Sequence, residues 1–252
     1  MGAAPRWKTA ISNALSEHSK SVVIQMASID SSSPTPHVRS HIFRSFLTPP
    51  GDESLPLILS STDVRSPKVQ QLVENPHVEI AWWIEGKQEQ FRIAGLASVI
   101  PPSTHSLFKN FERIIKDAKQ ASGLRKLVGA SGTDLDWEKK RREVFATMSA
   151  HMKASWCRPV PGSILVGGEE EAKKWAVRVD EPGHEKAEDG KEVSEEERAR
   201  NKENWDTALG NFALVMVDPT EVDYVELGVI PNRRTKFWRN ENGLWEEKSV
   251  VP

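Results

Sequence analysis

The chain has one cysteine, one tyrosine, no long apolar run and no excess of either charge. A single cysteine, Cys157, excludes an internal disulfide and a cysteine-based zinc cluster, and no other metal site is predicted. The 34 basic and 36 acidic residues give a formal net charge of -2, which argues against a general nucleic-acid or membrane-surface binder. No stretch reaches the roughly 18 apolar residues of a membrane span, and no signal-peptide core is visible. We therefore expect a cytoplasmic protein with a local binding site.

What the sequence does contain is a series of short β-branched and alternating segments between turn residues, with a few amphipathic helices. This order predicts a mainly β protein, a single antiparallel barrel over residues 1–252 with peripheral helices. The predicted helices cover residues 5–18, 67–74, 104–119 and 136–153. The predicted strands cover residues 21–29, 38–46, 56–61, 78–84, 88–100, 212–217, 221–227, 236–240 and 244–251.

One segment departs from this pattern. Residues from about 180 to 204 are almost purely charged, with hardly an apolar side chain. Such a composition cannot bury enough surface to offset the entropy of ordering, so we expect a disordered or marginally helical insertion.

Residues 38–46 carry two arginines, Arg39 and Arg44, on a predicted strand. A guanidinium grips phosphate or carboxylate in two-point fashion, so the segment could bind an anion. The alternative is a half-exposed strand with two solvated arginines. Five positions separate the two residues, so in a regular strand they would face opposite sides.

A second cationic feature lies at the start of the predicted helix 67–74. Ser66 occupies the N-cap position, Pro67 the first turn, and Asn75 precedes a proline that stops the helix. Arg65 and Lys68 flank a helix start whose dipole is already positive, which indicates a phosphate site. The alternative is that both cations point into water.

Two further segments could contribute to a site. In strand 88–100, alternation places Gln90 with Arg92 on one face and Phe91 with Ile93 on the other. The proline-rich loop after residue 155 could carry Trp156 and Arg158 to a pocket, whereas Cys157 is predicted to be a buried thiol without a catalytic role.

The residues themselves resemble a known family. The segments PHVRSHIFRSF, LSSTDVRSPKVQQLVENPHVEIAWW, EQFRIAGLA and PNRRTKFWRNENGLW, with the terminal VVP, are similar to the pyridoxamine 5'-phosphate oxidase-like FMN-binding family, in its Alr4036-type branch. The resemblance covers most of the chain apart from the charged insertion.

This resemblance implies an FMN-binding split β-barrel that forms a homodimer, with FMN at the dimer interface. By family pattern, Arg39 would hold the FMN phosphate and Arg44 would face the isoalloxazine ring and the substrate. Lys68 matches a phosphate-binding lysine, and Gln90 matches a glutamine that reaches the flavin. The residues assigned to the cofactor in this way are Arg39, Ser40, Arg44, Ser61, Thr62, Arg65, Lys68, Gln90 and Arg234.

The substrate half of the family pattern differs. The chain reads Asn232-Arg-Arg-Thr235, without the histidine of the family's substrate motif, and its middle helices lack the Tyr/Arg/Ser set that grips a substrate phosphate. Only Arg44 and Arg233 are candidates for substrate binding, and no catalytic residue is assigned. The sequence therefore predicts an FMN-dependent oxidase or reductase acting on a small molecule. The alternatives are a non-catalytic FMN-binding protein for sequestration or sensing, and an interaction scaffold with an unused barrel.

Overall fold

The computed structural model describes residues 2–33, 35–129, 135–186 and 193–252. The strands in these ranges are β1 (Val23–Ile29), β2 (Pro36–Ile42), β3 (Ser45–Leu47), β4 (Leu57–Asp63), β5 (His77–Ile84), β6 (Glu89–Ile100), β7 (Phe212–Glu226), β8 (Arg233–Arg239) and β9 (Trp245–Val250). The helices are α1 (Arg6–Glu17), α2 (Pro67–Glu74), α3 (Phe108–Asp117), α4 (Gly123–Val128), α5 (Trp137–Ala146), α6 (Ala150–Ser155), α7 (Gly168–Ala172) and α8 (Glu195–Asn211).

All nine strands belong to one antiparallel sheet that closes into a split barrel. The strand order is β2-β1-β5-β6-β7-β4-β3, and β8 and β9 extend it from β7. The sheet closes because one stretch of chain joins its two ends. The N–H of Phe43 donates to Val22 on the β1 side, and the N–H of Arg44 donates to Leu59 on the β4 side, each at 2.8 Å.

The prediction of one strand over residues 38–46 is therefore wrong. β2 ends at Ile42 and pairs with β1, whereas β3 begins at Ser45 and pairs with β4. The break at Phe43 and Arg44 changes the direction in which Arg44 projects, so the strict opposition expected for Arg39 and Arg44 does not apply.

The predicted hairpin of the first two strands is confirmed by the β1–β2 register. The two strands expected at 212–217 and 221–227 form the single strand β7, which contains Pro219. Proline cannot donate a backbone hydrogen bond to a neighbouring strand. Next to Pro219 the register of β6 and β7 shifts between Ala94 and Gly95, so that Thr220 of β7 has no opposite residue. A Cβ on Gly95 would lie 2.5 Å from the Asp218 carbonyl oxygen, so only glycine allows the two backbones to approach this closely.

Two hydrophobic cores lie on either side of the sheet. Inside the barrel, Trp7 and Ile11 of α1 pack with Trp82 and Phe91. The other core joins β4, β6 and β7 to helices α3, α4, α5 and α8, with Phe145 among its fully buried side chains. Trp82 is fully buried while its neighbour Trp83 is 41% exposed, as expected for adjacent strand positions.

The helices differ from prediction in two places. The segment 136–153 forms two helices, because Ser149 caps the second by accepting a hydrogen bond from the N–H of Met152 at 3.2 Å. For the charged segment 180–204, predicted to be disordered or marginally helical, the structure has a helix from residue 195 onward. There Ser194 and Glu197 form a capping box that starts the 17-residue α8. Residues 187–192 of that segment lie outside the described residues.

None of the helices in the described ranges combines the length and apolar content needed to span a membrane.

Candidate functional site

A cavity of about 1090 Å³ opens beside the junction of β2 and β3. One wall is made by the ends of β2 and β4, and the opposite wall by α6 and the chain that follows it. Four of the predicted cofactor residues line it, namely Ser40, Arg44, Ser61 and Thr62. The predicted loop also lines it, with Trp156 and Arg158. The structure therefore brings together residues that are more than 100 positions apart.

Arg44 is the cation fixed in the cavity wall. Its Nε and Nη2 donate to the Ser61 hydroxyl at 3.2 and 3.1 Å, and Nη2 also lies 3.1 Å from Met152 Sδ. Burial lowers the pKa of Arg44 from its usual value, but a guanidinium remains protonated in proteins. Neither contact carries a negative charge, so Arg44 keeps its full charge for a ligand in the cavity.

A second group of basic side chains, Arg39, His41 and Lys68, lies next to the cavity. Arg39 and His41 are two positions apart in β2 and so share a face, and His41 also lines the cavity. Burial and then the nearby charges of Lys68 and Arg39 lower the pKa of His41 to about 4. Burial and then Arg39 also lower the pKa of Lys68, against a smaller opposing effect of Asp63. We call these three residues the basic cluster.

The basic cluster lacks a negative partner within the described residues. Arg39 Nη1 donates to the Ser28 hydroxyl at 3.2 Å, and no ion pair joins Arg39 or Lys68 to a described carboxylate. His41 Nε2 is buried without a hydrogen-bond partner, and its Nδ1 lies 3.4 Å from Ser60 Oγ. Buried polar atoms are normally paired, so this arrangement fits an anion that satisfies all three side chains.

The beginning of α2 adds to this positive potential. Lys68 is the second residue of that helix, where free N–H groups and the helix dipole favour an anion. Ser66 occupies the predicted N-cap position, but its side chain makes no capping hydrogen bond. It lies instead 3.3 Å from the Thr62 hydroxyl. Both side chains are buried. Thr62 also lines the cavity, so it joins the start of α2 to the cavity wall.

Arg65 holds the far wall of the cavity in place. Its Nε and Nη2 bond the two carboxylate oxygens of Asp63 at 3.0 and 2.7 Å. Nη2 also donates to the carbonyl oxygens of Trp156 and Arg158 at 3.3 and 3.0 Å. These contacts join β4 to the loop after α6, and the role of Arg65 as a phosphate ligand stays a prediction.

Gln90 and Arg234 lie away from the cavity, on the outer face of the sheet. Both are opposite Val225 of β7. Ile42, a cavity residue on the same face, is separated from Gln90 by β1 and β5, which corresponds to about 14 Å at about 4.8 Å per strand. Within one chain these two predicted residues are therefore not part of the cavity.

Carboxylates partner the arginines of this outer face. Arg234 bonds both oxygens of Asp223 at 2.9 and 2.8 Å, and Arg92 bonds the same carboxylate at 2.6 Å. The hydrogen bond from Arg234 and the charges of both arginines lower the pKa of Asp223. Arg233, which is predicted to bind substrate, is adjacent to Arg234 in β8 and so faces the opposite side of the sheet, where it pairs with Glu226 at 2.7 Å.

Sequence reasoning missed His41, Met152 and Trp175, all of which line the cavity. His41 could have been found, because it stands two positions after Arg39 in a predicted strand and therefore shares its face. Met152 and Trp175 carry no comparable signal, because neither belongs to a strand whose alternation would show which way its side chain faces.

Comparison with known proteins gives the same fold. Residues 4–101 match the model of the pyridoxamine 5'-phosphate oxidase FMN-binding domain. Pyridoxine/pyridoxamine 5'-phosphate oxidase 2 of Arabidopsis thaliana is 34% identical over 100 residues, which is 38% of this chain and 48% of that protein. The matching region thus spans about half the length of this curated relative.

Two solved structures extend the similarity over nearly the whole chain. A pyridoxamine 5'-phosphate oxidase-related, FMN-binding protein of Nostoc punctiforme PCC 73102 has a TM-score of 0.67 and 22% identity, and both chains are covered completely. PhzG of Burkholderia lata 383, solved in complex with tetrahydrophenazine-1-carboxylic acid, has a TM-score of 0.54 and 15% identity. That match covers 99% of this chain and 93% of PhzG. At these identities the two structures establish the split-barrel fold alone.

The range 4–101 contains the basic cluster and the β2–β4 wall of the cavity. The opposite wall, formed by α6 and the residues up to Trp175, lies outside that range.

Proposed function

We propose that this protein is an FMN-dependent oxidoreductase, an oxidase or reductase of a small organic molecule, because residues 4–101 match the model of the pyridoxamine 5'-phosphate oxidase FMN-binding domain. We also propose that the full chain acts as one FMN-binding unit in the cytoplasm, in keeping with its single cysteine and balanced charge.

The observation that carries the proposal is the basic cluster. Arg39 and Lys68 bring two positive charges beside the start of α2, and His41 adds a buried ring nitrogen that lacks a partner. The phosphate of FMN is a dianion with three acceptor oxygens, which suits two cations and one neutral donor. The residues present therefore fit the phosphate end of FMN.

The cavity next to the cluster fits the ring end. Arg44 would place a fixed positive charge at the edge of the isoalloxazine, and the hydroxyls of Ser61 and Thr62 would offer hydrogen bonds. When bound, FMN supplies electron or hydride transfer, and the protein binds and tunes it. A nearby cation favours the reduced, anionic form of a flavin, so Arg44 is assigned this tuning role.

We further propose a homodimer in which the outer face of one chain covers the cavity of the other. Trp83 is 41% exposed on that face, and Val23 and Val38 are also exposed apolar residues of the neighbouring strands. A second chain placed there would bring Gln90 and Arg234 to the cavity of its partner, which one chain alone cannot do. This arrangement also accounts for the exposure of these three apolar side chains.

The test is to purify the protein, release its chromophore by denaturation and identify it. We expect FMN at one molecule per chain, and loss of most of it in the double variant Arg39→Ala/Lys68→Ala. A colourless protein that does not bind added FMN would refute the proposal.

Turnover separates an oxidoreductase from a protein that only stores or senses FMN. The FMN-loaded protein is mixed anaerobically with NADH or NADPH, and aerobically with pyridoxamine 5'-phosphate and with simple amines while hydrogen peroxide is followed. The expected result is loss of the flavin colour on reduction by NADH or NADPH, or hydrogen peroxide formed from dioxygen as an amine is oxidised. A yellow protein that does neither would favour the non-catalytic function.

A further inference from the structure

The wall of the cavity opposite the sheet is a long segment held at its two ends. We call residues 158–175 the strap. Before it, the carbonyl oxygen of Trp156 accepts hydrogen bonds from Asn211 Nδ2 at 2.8 Å and from Arg65 Nη2 at 3.3 Å. After it, the carbonyl oxygen of Val177 lies 2.8 Å from His151 Nδ1.

Beyond Arg158, whose carbonyl oxygen accepts a hydrogen bond from Arg65 Nη2 at 3.0 Å, the strap makes local backbone hydrogen bonds. Its internal backbone hydrogen bonds join residues at most four positions apart, such as Ser163 to Val160 and Lys173 to Glu169. The strap nevertheless presents apolar side chains at the cavity, with Ile164 87% exposed and Val166 80% exposed. Exposed apolar groups at the mouth of a cavity indicate a ligand that covers them.

The strap also carries one cation toward the same space. The guanidinium of Arg158 lies 5.9 Å from the centre of the Trp175 ring, a cation–π distance, and both residues line the cavity. No ion pair joins Arg158 to a carboxylate of the described residues. Glu171, the acid on this side of the cavity, pairs with Lys174 at 2.8 Å, so the charge of Arg158 is left for a ligand.

The two ends of the cavity differ in charge. The sheet side has Arg44 and the adjoining basic cluster, which suit a dianionic phosphate. On the strap side a single arginine stands beside a tryptophan and aliphatic side chains. The volume of about 1090 Å³ is slightly above the range of about 300–1,000 Å³ for single-ligand pockets, so a flavin ring leaves space for a second molecule.

We propose that the strap is the substrate wall of this site and that it selects a flat, largely apolar substrate with one carboxylate. The carboxylate would pair with Arg158, and the flat apolar part would lie against Trp175 and Ile164. The inference rests on the proposed flavin function, since it names the substrate class of the same cavity.

The test uses 2-naphthoate as probe, with 2-naphthamide as its uncharged counterpart. Binding is measured by calorimetry and by the change in the flavin absorbance spectrum of the FMN-loaded protein. We expect 2-naphthoate to bind more tightly than 2-naphthamide and than pyridoxamine 5'-phosphate. Arg158→Gln should weaken 2-naphthoate binding about tenfold, because a charge-assisted hydrogen bond is lost, and should leave 2-naphthamide unchanged.

Two further variants complete the experiment. Ile164→Ser should weaken both aromatic probes about fivefold, through the apolar contact it removes. The matched control is Arg200→Gln, at an exposed arginine of α8 that does not line the cavity. It should leave the affinities for 2-naphthoate and 2-naphthamide unchanged. FMN content should be equal in all four proteins, because none of these residues belongs to the phosphate site.

The outcomes separate the two proposals. If FMN is retained but 2-naphthoate does not bind, or binds Arg158→Gln as well as wild type, the substrate assignment is wrong and the flavin function stands. If the protein takes up no FMN, the flavin function fails, and calorimetry with 2-naphthoate still decides whether Arg158 recognises a carboxylate. Preference for pyridoxamine 5'-phosphate would also overturn the substrate assignment.

Discussion

His41 gives a prediction that can be worked out from its surroundings. Its pKa in the folded protein is about 4, against the ordinary histidine value of 6.5, because the ring is buried and lies near Lys68 and Arg39. Between these two pH values the unfolded chain binds more protons than the folded one, so stability must increase with pH across this window. The part of the free energy of unfolding that depends on His41 is fully present above pH 6.5 and is lost as the pH falls toward 4.

The magnitude follows from the same two values. A shift of this size makes the free energy of unfolding at pH 4 lower by about 3 kcal/mol than at pH 7 through His41 alone. The variant His41→Asn cannot charge, so it should lack this part of the pH dependence. Urea unfolding at several pH values between 4 and 7, on the FMN-free protein, measures the difference between the two proteins.

The control is His77→Asn, at an exposed histidine of β5, which should keep the wild-type pH dependence. Added FMN should reduce the effect of His41, because a phosphate dianion favours the charged imidazole and offsets Lys68 and Arg39. Parallel pH curves for wild type and His41→Asn in the FMN-free protein would refute the reasoning.

Three other substitutions test the phosphate site, a buried arginine and a close backbone contact. Lys68→Met should weaken FMN binding about thirtyfold, because a charged hydrogen bond of roughly 2 kcal/mol is lost. The same change should raise the free energy of unfolding of the FMN-free protein, since burial and Arg39 lower the pKa of Lys68 and so disfavour its charge. Calorimetry and urea unfolding measure both effects, exposed Lys20→Met is the control, and unchanged FMN affinity would contradict the assignment. Arg141→Met should lower the free energy of unfolding by about 3 kcal/mol, because the buried Arg141 donates hydrogen bonds to two carbonyl oxygens at the end of α8. An unchanged urea midpoint would show that these hydrogen bonds do not contribute to stability. Gly95→Ala should cost about 2 kcal/mol or more in thermal unfolding, because its Cβ would clash with a backbone oxygen, and a wild-type Tm would exclude the clash.

The limits of α2 and the face on which Gln90 lies could be predicted from residues close together in the sequence. Pro67 and the Asn75-Pro76 pair set the limits of α2, and alternation placed Gln90 on the face of β6 opposite to Phe91, as the structure has it. Each of these follows from a residue and its immediate neighbours, through a fixed dihedral angle or the period of two in a strand.

The features that were missed depend on partners far along the chain. The alternation from Val38 to Phe46 is the same whether one strand or two are present, so it cannot show that β2 pairs with β1 and β3 with β4. α8 buries Ala208 and Leu209 only in its last turn, and its charged first half therefore has the composition of a disordered segment although a capping box fixes its start.

The distribution of charge around the cavity sets the direction in which a flavin would lie. The basic cluster can satisfy a dianion, and Arg44 lines the cavity next to it, where it contacts both Ser61 of β4 and Met152 of α6. A flavin with its phosphate on Arg39 and Lys68 would therefore extend its ring past Arg44 toward the strap. The strap presents one unpaired arginine and exposed aliphatic side chains, so the ring would meet its substrate on the side of the cavity that lies outside the shared FMN-binding domain. On this arrangement, residues 4–101 would select the cofactor and the strap would select the substrate, so the two could be altered separately by substitution.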